Sequence, residues 1–115
     1  MPMKTIKIGI VGLGQFAPEM ISLFLAHPAI SEVYACDVVP ERVSATQRDF
    51  GVTRVFSDYD ELLASDVDAV ALYTQRWMHG PMSIAALRRG KHVYSSVPMA
   101  SKIEEVEEIL DLVRR

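Results

Sequence analysis

Apolar and polar positions along the chain fall into short continuous apolar runs separated by stretches of helical spacing. Ile6, Ile8, Ile10 and Val11 make the first run, β-branched and apolar enough to be buried on both faces like a strand of a parallel sheet. Glu32 to Cys36 reads as a second strand and Arg54 to Phe56 as a short third. Asp68 to Tyr73, with Ala69, Val70, Ala71 and Leu72, reads as a central fourth, and His92 to Ser95 as a fifth. Between the first two, Phe16, Met20, Leu23, Phe24 and His27 recur at helical spacing; Pro18 is tolerated in the first turn and Pro28 ends the helix. Pro40 to Phe50 predicts a second helix with Gly51 as its cap, Asp58 to Ala64 a brief third, and His79 to Arg89 a fourth stopped by Gly90. Ser101 to Glu104 has the spacing of a capping box. It opens a last helix whose buried stripe is predicted as Ile103, Val106, Ile109, Leu110 and Val113, with its glutamates on a solvated face.

Strands alternating with helices imply right-handed crossovers and a parallel sheet. The predicted architecture is therefore α/β, a doubly wound (Rossmann) sheet of order 3-2-1-4-5 with helices on both faces. In such a sheet a ligand sits over the carboxyl ends of the strands where the order reverses.

Composition narrows the partners. The chain has 115 residues, half of them apolar, and a net charge of −3, which predicts one domain with a single core. Mild acidity without basic clusters argues against nucleic acid, and no apolar run reaches the length of a membrane span. Lys4 and Lys7 precede an apolar segment, but Gly9, Gly12 and Gly14 interrupt it and no cleavage site follows, so a cytoplasmic protein is expected. The lone Cys36 cannot form an internal disulfide and reads as a small buried hydrophobe. No metal site is expected.

Chemistry enters where the first strand ends. Gly12, Leu13, Gly14, Gln15, Phe16 and Ala17 fit G-x-G-x-x-[G/A] in the order strand, turn, helix. In a dinucleotide site the first glycine makes the tight turn, the second lets a pyrophosphate approach the backbone, and the small third residue lets helix pack on strand. Free N–H groups at the helix start then face the phosphates. Gln15 and Phe16 belong to the same turn and are expected beside the cofactor. Asp37 closes the next apolar run, about 20 residues on, where an NAD site holds the adenosine ribose hydroxyls. It would repel a 2′-phosphate, and Val38 offers no cation to receive one, so NAD is expected over NADP, although Arg42 on the following helix is within possible reach.

Along nearly its whole length the chain resembles the N-terminal domain of the glucose-fructose oxidoreductase / inositol dehydrogenase / rhizopine-catabolism (Gfo/Idh/MocA) family. The matching stretches are IKIGIVGLG, the acid at Asp37, FSDYDELLASDVDAVAL, and GKHVYSSVPMA at Gly90 to Ala100. The resemblance implies an NAD(P)-dependent oxidoreductase of sugars, polyols or related compounds, with this domain joined to a larger α/β domain that covers the substrate. That second domain is absent here, so the sequence looks like half of an enzyme. Where the family has Thr-Pro-Asn-x-x-His near the nicotinamide, this chain has Thr74, Gln75, Arg76, Trp77, Met78 and His79; where it has Glu-Lys-Pro, this chain has Ser96, Val97 and Pro98. The family lysine, which assists hydroxyl deprotonation, is thus Val97.

Valine cannot move a proton, so His79 becomes the candidate proton acceptor, against a reading in which it only packs at a helix start or touches the cofactor ribose. Thr74, Arg76 and Pro98 are expected cofactor contacts; Trp77 either contacts ligand or packs on the second domain. The leading expectation is hydride transfer between nicotinamide and a hydroxyl-bearing carbon. The alternatives are NAD-dependent glycoside cleavage, which some relatives perform, and a non-catalytic dinucleotide sensor. A small-molecule substrate is expected only with the second domain, and the apolar surface it would cover predicts self-association.

Overall fold

The computed structural model describes residues 4–15, 17–52, 54–96 and 98–114. Strands and helices alternate along them: β1 Ile6–Val11, α1 Ala17–Ala26, β2 Ile30–Cys36, α2 Pro40–Phe50, β3 Val55–Phe56, α3 Tyr59–Ala64, β4 Ala69–Leu72, α4 Arg76–Arg88, β5 His92–Ser95 and α5 Ile103–Val113. The strand pairings are parallel and the order is β3-β2-β1-β4-β5, the doubly wound arrangement that the alternation predicts. Val11 at the end of β1 lies between Cys36 of β2 and Leu72 of β4. The sheet order reverses there, so the carboxyl ends of these three strands open on one crevice.

Successive side chains of a strand point to opposite faces, and β1 divides its residues between two cores. Ile8 and Ile10 join Val33, Ala35, Ala69 and Ala71 on one face, under Ala17 and Ile21 of α1 and the partly buried Val43 and Phe50 of α2. Val11, Tyr34, Cys36, Val70 and Leu72 face the other way, onto Leu62 and Leu63 of α3 and Ala86 of α4. Each large aliphatic side chain buried this way contributes about 1.5–3 kcal/mol. Coverage of both faces is the reason these strands read as continuous apolar runs.

Several expected details differ. β2 begins at Ile30, two residues early, because Ile30 pairs with Ile6 of β1. α4 begins at Arg76, not His79, after an extended Gln75. In α1 the buried positions are Ala17 and Ile21, while Leu23 is 63% exposed, so the stripe is rotated from the one read off the sequence. The capping box does not form: the residue capping α5 is Lys102, one position too late for Ser101 and Glu104 to pair, and it makes no side-chain capping bond. Of the α5 stripe, Ile109 is buried while Ile103, Leu110 and Val113 are exposed, because α5 packs chiefly on α4. Gly80 of α4 lies against α5, where an added Cβ would come within 2.5 Å of Glu105 Oε1 and displace the end of that side chain. Among the described residues no helix is long and apolar enough to cross a membrane, and no cluster of metal-ligating side chains occurs.

Candidate functional site

The crevice at the switch point is a cleft of about 480 Å³ built from the ends of β1, β2 and β4 and the start of α4. Its floor is the turn after β1. Gly12 has a φ of +91°, and a Cβ there would lie 2.8 Å from the carbonyl carbon and oxygen of Tyr73, so glycine lets the turn close against the end of β4. Gly12 N–H donates to the Cys36 carbonyl at 3.0 Å, and Tyr73 N–H to the Val11 carbonyl at 2.8 Å, which ties the three strand ends together. Gly14 is different. An added Cβ would meet nothing nearer than Arg42 Nη1 at 3.9 Å, so no packing within the described residues requires glycine at this position. The space in front of it belongs to the cleft.

Asp37 follows β2 and is 7% exposed. Its Oδ2 accepts the Leu13 N–H at 2.7 Å and its Oδ1 accepts the Val39 N–H at 2.8 Å, with Arg42 Nη1 3.5 Å from Oδ2. A carboxylate offers about four lone-pair sites, so acceptor capacity remains after the two backbone bonds. Backbone donors and the guanidinium compensate the charge of this buried carboxylate, which burial without partners would disfavour.

Tyr73, Thr74, Gln75, Met78 and Met82 line the opposite wall. Thr74 Oγ1 donates to Met82 Sδ at 3.4 Å. The Tyr73 phenol has no hydrogen-bond partner among the described residues, and burial, then the neighbouring Tyr94, push it up to about 12. Burial, followed by the Asp37 charge, pushes the Cys36 thiol up to about 12, so it is an inert wall of the cleft and not a nucleophile.

His79 stands behind this wall, 2% exposed. Its Nδ1 is 2.7 Å from the Pro98 carbonyl oxygen and its Nε2 2.8 Å from the Thr74 carbonyl oxygen, with Ser96 Oγ 3.3 Å from Nε2. The ring joins the loop after β4 to the loop after β5. Both nitrogens are engaged by protein groups and the ring is closed off from solvent, so the geometry makes it a tie between loops and leaves no nitrogen aimed at a substrate. The alternative expectation, a histidine that packs at the helix start, fits this arrangement.

Of the residues singled out in the sequence, Gly12, Gly14, Asp37 and Thr74 meet in the cleft. Gln15 is exposed at the turn and Arg76 is exposed on the first turn of α4, both outside the lining. Pro98 is exposed and enters only through its carbonyl. Phe16 and Val97 lie outside the described residues. Gln75, Met78 and Met82 were missed; the i, i+4 spacing of the two methionines would have placed them on one helix face had α4 been started at Arg76. Leu13 contributes through its backbone N–H, for which no side chain could give a signal.

A family model described as an oxidoreductase family with an NAD-binding Rossmann fold (Gfo/Idh/MocA) matches residues 6–115. A glycosyl hydrolase family 109 protein from Streptomyces niveus is 36% identical over 122 residues, covering 97% of this chain and 25% of that protein. The apo scyllo-inositol dehydrogenase from Lactobacillus casei superimposes with a TM-score of 0.90 at 33% identity, over 99% of this chain and 34% of that one. The same enzyme with bound NAD(H) and scyllo-inositol matches at 0.87, at 33% identity, over 96% of this chain and 33% of that one. A 3-ketoreductase from Actinomadura kijaniata, in complex with TDP-benzene and NADP, matches at 0.85 and 26% identity, over 96% of this chain and 35% of that one. The chain thus spans about a quarter of the curated relative and about a third of the solved chains.

Proposed function

The chain belongs to the Gfo/Idh/MocA oxidoreductase family, and on that premise we propose that it is the nicotinamide-dinucleotide-binding part of an enzyme that oxidises or reduces a sugar, polyol or related hydroxyl compound. The observation that carries this reading is Gly14, a glycine that no neighbouring atom among the described residues requires, beneath an open cleft at the start of a helix. Absence of a side chain there serves something that approaches the backbone closely, as a pyrophosphate does. Asp37 supports it, with lone pairs left for the two ribose hydroxyls. The Thr74–Met82 wall takes the apolar part of the ligand, and the His79 tie holds that wall in place.

The nicotinamide, when bound, supplies the hydride chemistry. This chain's residues bind and orient it. Val97 stands where the family lysine is expected, and His79 is enclosed, so the group that takes the substrate hydroxyl proton comes from outside the described cleft. Substrate contacts are likewise assigned to the part of the enzyme that this chain does not span, with the exposed Trp77, 61% accessible, beside the cleft entrance at the start of α4.

Calorimetric titration with NAD and NADP tests the reading, with Asp37→Ala alongside. Saturable binding that depends on Asp37 is expected; a folded sample that binds neither nucleotide overturns it. A second reading, in which the dinucleotide serves glycoside cleavage, is favoured by the glycosyl hydrolase family 109 relatives. Net accumulation of NADH with a polyol, in a form that carries the substrate region, supports the first; glycoside cleavage with no net NADH supports the second.

A further inference from the structure

We propose that a second copy of this chain docks on the free edge of β5, in a two-fold dimer that joins the two sheets and lays the two α5 helices side by side in opposite directions. A sheet edge carries unpaired N–H and C=O groups, and proteins blunt it with a very short strand or with charge. β3, at one edge, is two residues long and is preceded by the exposed Arg54. β5, at the other edge, runs four residues, His92–Ser95, and holds no Lys, Arg, Asp, Glu or Pro. The N–H groups of His92 and Ser96 donate to the Asp68 and Leu72 carbonyls on the β4 side. Alternation along the strand then turns the backbone groups of Val93 and Ser95 to the open edge, where they form a template for another strand.

Apolar surface continues from this edge onto α5. A groove of about 660 Å³ runs between them, lined by Val93, Met99, Ile109, Leu112 and Val113. Ser83 of α4 also lines it, and its buried hydroxyl has no partner among the described residues. Of the nine large apolar side chains exposed among the described residues, Tyr94, Met99, Ile103, Leu110 and Val113 lie on β5, on α5 or between them. An apolar patch of this kind, continuous with an open strand edge, marks a protein interface. Along α5, Ile103, Val106, Leu110 and Val113 follow the three-four-three spacing of a helix that pairs with another helix. α5 meets α4 with its other flank, where Ile109 is buried and Glu108 pairs with Arg88, so the stripe is left for a partner.

Charge selects a second copy as that partner. The chain leaves the carboxyl end of β5 to enter α5, and α5 runs back along the sheet until Leu112 and Val113 share the groove with Lys91 and His92. Glu104, Glu105 and Glu107, capped by Lys102, therefore stand at the carboxyl end of β5, and the exposed Arg114 stands at its start. A two-fold axis perpendicular to the sheet sets the beginning of one α5 against the end of the other. Carboxylates then face the partner's Arg114 at both ends of the seam, whereas a partner of a single charge sign would suit only one end.

The test is sedimentation equilibrium of the 115-residue chain over a wide range of concentration, with variants checked for folding by circular dichroism. A monomer–dimer equilibrium is expected. Leu110→Lys, at an exposed position, is expected to raise the dissociation constant at least about tenfold, and Leu23→Lys, equally exposed on α1, less than about threefold. Arg114→Glu is expected to weaken the dimer, as is Glu104→Lys with Glu107→Lys, while all three changes in one chain restore it. Hydrogen exchange at β5 is expected to slow as concentration rises, with β3 unchanged. A chain that stays monomeric at about 1 mM overturns the proposal. Growth beyond a dimer, weakening by Leu23→Lys instead of Leu110→Lys, or a triple variant that fails to recover overturns it as well. Leu110→Lys is expected to bind NAD as the unaltered chain does, because neither β5 nor α5 lines the cleft at the switch point, so the dimer and the dinucleotide reading fail separately.

Discussion

Asp37 Oδ2 accepts the N–H of Leu13 at 2.7 Å, closing the turn after β1 onto the end of β2 across 24 positions of sequence. One carboxylate therefore shapes the turn as well as presenting acceptors to the cleft. Asp37→Ala leaves the buried Leu13 N–H without its partner and is expected to lower unfolding stability by about 1–3 kcal/mol, read by urea denaturation. Asp37→Asn keeps an acceptor oxygen and loses the charge, so it is expected to lie between Asp37→Ala and the unaltered chain. Asp37→Ala is also expected to weaken NAD more than NADP, because NADP lacks the free 2′-hydroxyl and is relieved of repulsion. Unchanged stability would mean that backbone bonds alone hold the turn.

The two glycines of the turn are expected to fail in opposite ways. At Gly12 a Cβ would strike the Tyr73 carbonyl at 2.8 Å, in a backbone conformation that L-residues rarely adopt, so Gly12→Ala lowers the melting temperature. At Gly14 the nearest atom that a Cβ would meet among the described residues is 3.9 Å away, so Gly14→Ala is expected to melt close to the unaltered chain. Its effect is on ligand: the added methyl occupies the approach to the backbone, and NAD affinity is expected to fall at least about tenfold. Thermal melts and titrations of both variants distinguish a packing glycine from a ligand glycine; a Gly14→Ala chain that binds as before would take Gly14 out of the site.

The sheet was legible because its signal is local. Ile8 with Ile10 and Val70 with Leu72 are buried by layers on both sides, and such runs announce themselves in any reading of hydrophobicity. Gly12 and Asp37 were legible because backbone geometry and a buried charge leave few residue choices, and Gly14 because it completes the spacing of the turn. The start of α4 was misplaced for a physical reason: Gln75 caps the helix without a side-chain bond, so nothing in residues 74–79 marks where it begins. With the start set three residues late, the methionine face was missed. The exposed end of α5 escaped reading as well, because Ile103 and Val113 fit an apolar stripe whatever partner covers it.

His79 joins the loop after β4 to the loop after β5. His79→Leu fills much the same volume but removes both ring nitrogens, now 2.8 Å from the Thr74 oxygen and 2.7 Å from the Pro98 oxygen. A loss of about 1–3 kcal/mol is expected for a buried carbonyl left unpaired, with faster amide exchange in the loops after β4 and β5. His79→Gln, which retains a donor, is expected to recover part of the loss. Equal stability for all three chains would show that packing, and not hydrogen bonding, is what the ring provides.

Cys36 gives a pH signature because it titrates before its buried neighbours. Burial, then the negative Asp37 beside it, raise the folded thiol from 9.0 to about 12. A raised value means that the folded state holds its proton more tightly, so the contribution to stability is complete below pH 9 and is lost as pH rises toward 12. Tyr34, Tyr59 and Tyr73 are raised too, but from an ordinary value of 10.0, so their loss begins later. Between pH 9 and 10 the decline in unfolding stability therefore belongs to Cys36, and Cys36→Ala is expected to flatten it. The same enclosure predicts that a thiol reagent labels the native chain slowly at neutral pH and rapidly in urea. Bound NAD is expected to slow native labelling further, since Cys36 lines the cleft. Labelling that NAD does not alter, in a sample that titrates with NAD, would place the nucleotide away from the end of β2.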